Sequence, residues 1–191
     1  IPSNGTVLLF LGRMVKEMGL DFILKNIDEI LNIDKDLYLI IAGAEGNLSQ
    51  QANQFAKHNI RIKYCPNIPF ENKVEYYSAS DIILAPSMEK HACMGVTIKE
   101  AMACGKPVIG STSGGIPEAI EDGSNGYLIP IKSGNLDFEI FLKKTKHLID
   151  NPNIRRQMGE IGRTKVLKTF TNEQTTQKYL NLLDIMLENS K

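Results

Sequence analysis

Short apolar runs alternate along the chain with longer stretches whose apolar positions recur every three or four residues, a pattern that predicts βα units feeding a parallel sheet. Residues 6–12, 37–43, 60–64, 81–85, 107–110 and 126–129 read as the strands, most of them closed by Gly, Pro or Ser. The runs TVLLFLG, LYLIIAG and DIILA are apolar throughout rather than alternating, so helices are expected on both faces of the sheet. Residues 20–32 place Phe22, Ile23, Ile27, Ile30 and Leu31 at helical spacing, and 49–58 and 71–80 read as shorter crossovers. GVTIKEAMAC, 95–104, is a helix stopped by Gly105 and Pro107. Right-handed crossovers between these strands build a doubly wound, Rossmann-like α/β fold with a six-stranded parallel sheet.

From about Asn135 the strand signals cease and a helical C-terminal tail is expected, broken at Asn151-Pro152 and near 169–172. Thr171 and Gln174 have the spacing of a capping box for the last helix. Tyr179, Leu182, Leu183, Met186 and Leu187 form an apolar stripe along it that reads as its buried face. No repeat or linker interrupts the pattern, which is consistent with one domain over 1–191.

Composition narrows the function classes. The 191 residues are 42% hydrophobic and 23% charged, the balance of a globular domain. Lys plus Arg (22) equals Asp plus Glu (22), so net charge argues for no nucleic-acid partner. Cys65, Cys93 and Cys104 have neither disulfide nor zinc spacing, which fits a reducing, cytoplasmic setting, and no apolar run reaches the ~20 residues of a membrane span. The chain starts at Ile1 and reads as a piece of something longer.

In an open parallel sheet, ligands bind at the carboxyl ends of the strands. Those ends carry Gly12-Arg13-Met14-Val15-Lys16, the GAEG turn 43–46, the long loop 86–94 before Gly95, and the glycine-rich 110–115 before Ile116. Glycine turns into helix N-termini expose backbone N–H groups at the positive end of a helix dipole, which favours an anion such as phosphate. Gly95-Val96-Thr97 opens one such helix and Gly114-Gly115 precedes another. Arg13 adds a bidentate cation, and Glu100, a turn into its helix, is placed to accept from sugar hydroxyls. His58 and His147 read as surface residues and Cys65 and Cys104 as small core residues, while His91 sits in the 86–94 loop. No GxSxG, HExxH or Walker motif is present, and GRMVKEMG lacks the GxGxxG of dinucleotide enzymes.

The run SASDIILAPS followed by GVTIKEAMACGKPVIGSTSGGIPEAIEDGSNGYLI closely resembles the C-terminal half of family 4 retaining glycosyltransferases of the GT-B fold, and FLGRMVKEMGLDFIL and LIIAGAEG fit the same family. The resemblance implies the donor half of a two-domain enzyme, with the N-terminal, acceptor-binding half absent before Ile1. It implies a nucleoside diphosphate sugar as donor and transfer with retention. The leaving diphosphate would be stabilised by Arg, Lys and helix dipole without an essential metal or other cofactor. By position, Arg13 beside Gly12 matches the family's diphosphate arginine. Gly95, Val96 and Thr97 match its phosphate-binding helix start, Glu100 a ribose ligand, and Ile68 the point where backbone meets the base. The acceptor would be a glycan, lipid or protein, as in polysaccharide biosynthesis, and lipid-linked acceptors would bring the full-length protein peripherally to a membrane.

Three positions depart from the family pattern. Ala92 stands where the family has a sugar-contacting glutamate, with Glu89 three residues earlier as a substitute at the wrong spacing. Met18 replaces a phosphate lysine, leaving Lys16 to compensate, and Pro66 replaces a glycine beside the base. These leave two readings open: a working transferase with an altered donor site, or a transferase-like module that has lost catalysis.

Overall fold

The computed structural model describes residues 1–2, 4–89 and 95–188. His91, Ala92 and Cys93 therefore lie outside the described residues. The central sheet contains β1 (Thr6–Leu11), β2 (Leu37–Gly43), β3 (Ile62–Pro66), β4 (Ile82–Ala85), β5 (Val108–Ser111) and β6 (Gly126–Ile129). They run in the order β3-β2-β1-β4-β5-β6, every pairing parallel. The connecting helices are α1 (Leu20–Lys25), α2 (Ile27–Leu31), α3 (Ser49–His58), α4 (Lys73–Ser78), α5 (Val96–Ala103) and α6 (Ile116–Ala119). A two-stranded antiparallel hairpin, β7 (Ile131–Lys132) with β8 (Asn135–Leu136), precedes α7 (Phe138–Asp150), α8 (Pro152–Thr169) and α9 (Asn172–Glu188).

The unbroken apolarity of the strands is explained by burial on both faces. Leu8 and Phe10 of β1 point into a core with α1, α2 and α7, whereas Val7, Leu9 and Leu11 point into a second core with α4, α5, α6 and α8. Each fully buried Leu or Ile contributes about 1.5–3 kcal/mol.

Several expectations are corrected. The third strand is shifted by two residues, since Ile60 is 83% exposed and the ladder starts at Ile62. The single helix expected over 20–32 breaks at Asn26, whose backbone leaves helical geometry (φ −115, ψ 20) while its side-chain amide donates to the Phe22 carbonyl. The 71–80 helix begins as a 3-10 turn at Phe70–Asn72. Strand content does not cease before Asn135, because Ser133 and Gly134 take left-handed φ and turn a short hairpin whose second strand is Asn135–Leu136.

The last correction concerns α9. Its cap forms as expected, with the Gln174 N–H donating to Thr171 Oγ1 at 3.2 Å. The stripe Tyr179, Leu182, Leu183, Met186 and Leu187 is not buried, being 52–65% exposed, because α9 belongs to neither hydrophobic core and residues 172–187 all keep their exposure.

Candidate functional site

Strand order reverses between β1 and β4, the switch point at which an open α/β sheet leaves a crevice beyond its carboxyl ends. Two cavities open there. The first, about 400 Å³, is lined at the ends of β1 and β4 by Phe10, Gly12 and Ala85, and opposite by Gly95, Val96 and Thr97. The second, about 320 Å³, lies between the ends of β1 and β2 and includes Arg13, Ala44, Ile68, Phe70 and Lys73. Leu11, Gly12 and Thr97 line both, so the two form neighbouring compartments of one crevice.

Glycine makes this approach possible at two points. A Cβ on Gly43 would stand 2.2 Å from the Gly12 carbonyl oxygen, and its φ of 122° is closed to other residues. Gly95 turns the chain into α5 with φ 63°, and the first residues of that helix, whose amides have no partner within it, line the first cavity. At Gly12, by contrast, a Cβ would meet only Phe10 Cζ at 3.8 Å, so what it leaves open is cavity space rather than room for the fold.

The loops around the crevice are tied down by side chains. Ser87 Oγ donates to the Glu17 carbonyl at 2.9 Å and Ser113 Oγ to the Glu89 carbonyl at 2.8 Å, while Ser111 Oγ donates to the Ser87 carbonyl. This fixes 86–89, and with it Ser87 and Glu89, against the first cavity. Beside the second cavity, Glu45 accepts from Asn67 Nδ2 at 2.6 Å and from the Tyr64 hydroxyl at 3.1 Å, joining the GAEG turn to the loop after β3.

Glu100 lines neither cavity directly. Its carboxylate is held by Lys73, whose Nζ lies 3.1 Å from Oε1 and 3.2 Å from Oε2, and by the Tyr77 hydroxyl, which donates to Oε2 at 2.7 Å. Lys73 also sits 4.8 Å from the Phe70 ring centroid, a cation–π contact. Burial, and after it the hydrogen bond to Glu100, pushes the Tyr77 phenol far above its ordinary range, so it remains a donor at neutral pH.

The structure thus gathers Gly12, Arg13, Ile68, Gly95, Val96 and Thr97 around one crevice, with Glu100 one turn behind Thr97. Arg13 is exposed, and its guanidinium has no partner among the described residues. Lys16 sits on an exposed 3-10 turn and lines neither cavity, while Met18 lines the first. The turn at Gly114-Gly115 leads only into the four-residue α6, of which Ile116 reaches the first cavity. His58 and His147 are exposed, and Cys65 and Cys104 are half-buried against the core. Among the described residues no cluster of three His, Cys, Asp or Glu side chains is set to hold a metal ion.

Lys73, Tyr77, Phe70 and the tethering serines were not legible as site residues. The one sequence signal was the i, i+4 spacing of Lys73 and Tyr77, which puts both on one face of α4 but names no partner.

Several solved structures share this architecture. Sucrose-phosphate synthase from Thermosynechococcus elongatus superposes with a TM-score of 0.79 at 23% identity, covering 97% of this chain and 47% of that one. HepE from Anabaena, in complex with UDP and glucose, superposes with a TM-score of 0.75 at 21% identity, covering 95% of this chain and 49% of that one. Among curated proteins, D-inositol 3-phosphate glycosyltransferase of Corynebacterium diphtheriae is 28% identical over 167 residues, 83% of this chain and 38% of that protein. The chain thus spans less than half the length of the relatives named here. Residues 1–165 match the model of the glycosyl transferases group 1, and the chain belongs to that family.

Proposed function

We propose that this chain is the donor-binding half of a retaining glycosyltransferase that uses a nucleoside diphosphate sugar, the acceptor being held by an N-terminal half outside the chain. The observation that carries the reading is the pair of joined cavities at the switch point, one beside an exposed arginine and the other at the start of an eight-residue helix. The nucleoside occupies the second cavity, its base against Ile68 and its ribose toward Glu100. The diphosphate crosses Gly12 toward the amides of Val96 and Thr97, and the sugar lies in the first cavity. As the bond from the anomeric carbon to the diphosphate breaks, negative charge grows on the leaving oxygen. Arg13 and the fixed α5 dipole stabilise it there. HepE, which shares this fold, is in complex with UDP and glucose, which supports a nucleotide-sugar donor for this chain.

A second reading has one observation in its favour. Met18 presents an apolar side chain to the first cavity where a cation would serve a phosphate, as expected of a transferase-like module with a decayed donor site.

Titration of the chain with UDP, GDP and ADP, followed by thermal unfolding, separates the two. A ligand at 100 times its Kd adds ~2.7 kcal/mol, which raises Tm by roughly 5–10 °C at this size. The donor-site reading expects one diphosphate to give that shift and Arg13→Ala to abolish most of it, a charge-assisted contact being worth about 1.5–3 kcal/mol. No shift with any of the three favours the decayed module.

A further inference from the structure

We infer that Lys73 and Tyr77 are positioning residues that set the Glu100 carboxylate to receive a ribose hydroxyl of the donor nucleotide, an assignment that rests on the ribose-binding reading of Glu100. Neither residue belongs to α5. They reach Glu100 from α4, one turn apart, on the wall between the nucleoside cavity and the core. An ionised carboxylate offers about four lone-pair positions. Tyr77 takes one on Oε2, and Lys73 bridges both oxygens from one side, which leaves about one position, on Oε1, for a ribose hydroxyl.

An ordinary surface ion pair does not account for this arrangement. Lys73 and Glu100 keep 28% and 25% of their side-chain exposure, whereas Tyr77 is buried at 1%. The phenol is a fixed anchor that stops the carboxylate from swinging out to water. Lys73 is itself fixed from below by the Phe70 ring, and it lines the nucleoside cavity. The carboxylate is therefore oriented before ligand arrives, and ordering a long side chain is no longer part of the cost of binding. A hydroxyl donating to a preset anion gains more than one donating to a mobile anion.

The test compares the diphosphate that stabilises the chain most among UDP, GDP and ADP with its 2′,3′-dideoxy form, by calorimetric titration of the 191-residue chain. The wild type is expected to prefer the ribose form by roughly tenfold or more. Tyr77→Phe should reduce that preference several-fold while leaving dideoxy affinity unchanged, and Lys73→Met should weaken the ribose form several-fold more than the dideoxy form, with Lys73→Arg restoring most of the preference. Parallel loss of affinity for both forms would mean a structural role or direct contact with another part of the ligand, and would overturn the assignment. So would an unaltered preference in both variants. Glu100→Ala serves as the control for the underlying reading. If it abolishes the preference while Lys73→Met and Tyr77→Phe do not, only the positioning role falls. If the preference survives Glu100→Ala, or no diphosphate binds, both fall together.

Discussion

Tyr77 joins folding and binding in one side chain. Its ring fills the core beneath α5, and its hydroxyl is satisfied by Glu100 alone among the described carboxylates, at 2.7 Å. Because burial and the neighbouring carboxylate raise its pKa above the ordinary 10.0, the native state keeps the phenolic proton where the unfolded state loses it. The unfolded chain then binds fewer protons, so stability falls as pH rises. The contribution is complete below about pH 10 and is lost progressively above it. Urea unfolding between pH 8 and 11.5 should therefore show a steeper alkaline loss for the wild type than for Tyr77→Phe. Parallel curves would show that the phenol titrates normally in the native state.

Between elements, the closest packing is that of α8 on α5. Gly159 of α8 lies over the end of α5, where a Cβ would fall 1.9 Å from the Gly105 carbonyl oxygen, a backbone atom held in place by the left-handed turn. One turn further on, a Cβ at Gly162 would meet Met102 Cγ at 3.2 Å, the flexible part of a side chain. Gly→Ala in a helix interior gains up to about 1 kcal/mol in propensity, so the two sites should separate cleanly. Gly159→Ala is expected to destabilise by roughly 1–3 kcal/mol through overpacking, and Gly162→Ala to remain within ~1 kcal/mol of the wild type. Thermal unfolding of the two variants side by side decides this. Since α5 also begins at the first cavity, a Gly159→Ala chain that folds should bind nucleotide more weakly as well.

Taken whole, the molecule is a sheet packed on both faces, and α9 contributes to neither core. Every residue from 172 to 187 is exposed, so in the isolated chain this helix adds no core. Ending the chain after Thr171 should change Tm by no more than about 2 °C. A large drop would mean that α9 packs on the body of the molecule after all.

The order of strands and crossovers, the two-faced burial of β1, the α5 boundaries, the break at Pro152 and the Thr171 cap were all legible from the sequence. Each rests on interactions within a few residues, whether apolar periodicity, a cap or a proline, and such signals survive without knowledge of the rest of the fold. The glycine-rich ends that frame the crevice were legible for the same reason, because only certain residues fit those turns. What tertiary structure decided was contact between distant segments. Lys73 and Tyr77 meet Glu100 across 27 and 23 positions of chain, and Ser113 reaches Glu89 across 24. A hydroxyl or an ammonium in a local window says nothing about which acceptor the fold will bring within 3 Å. The stripe on α9 marks the opposite limit: periodicity identifies an apolar face, but whether anything covers it depends on where the helix is carried in space.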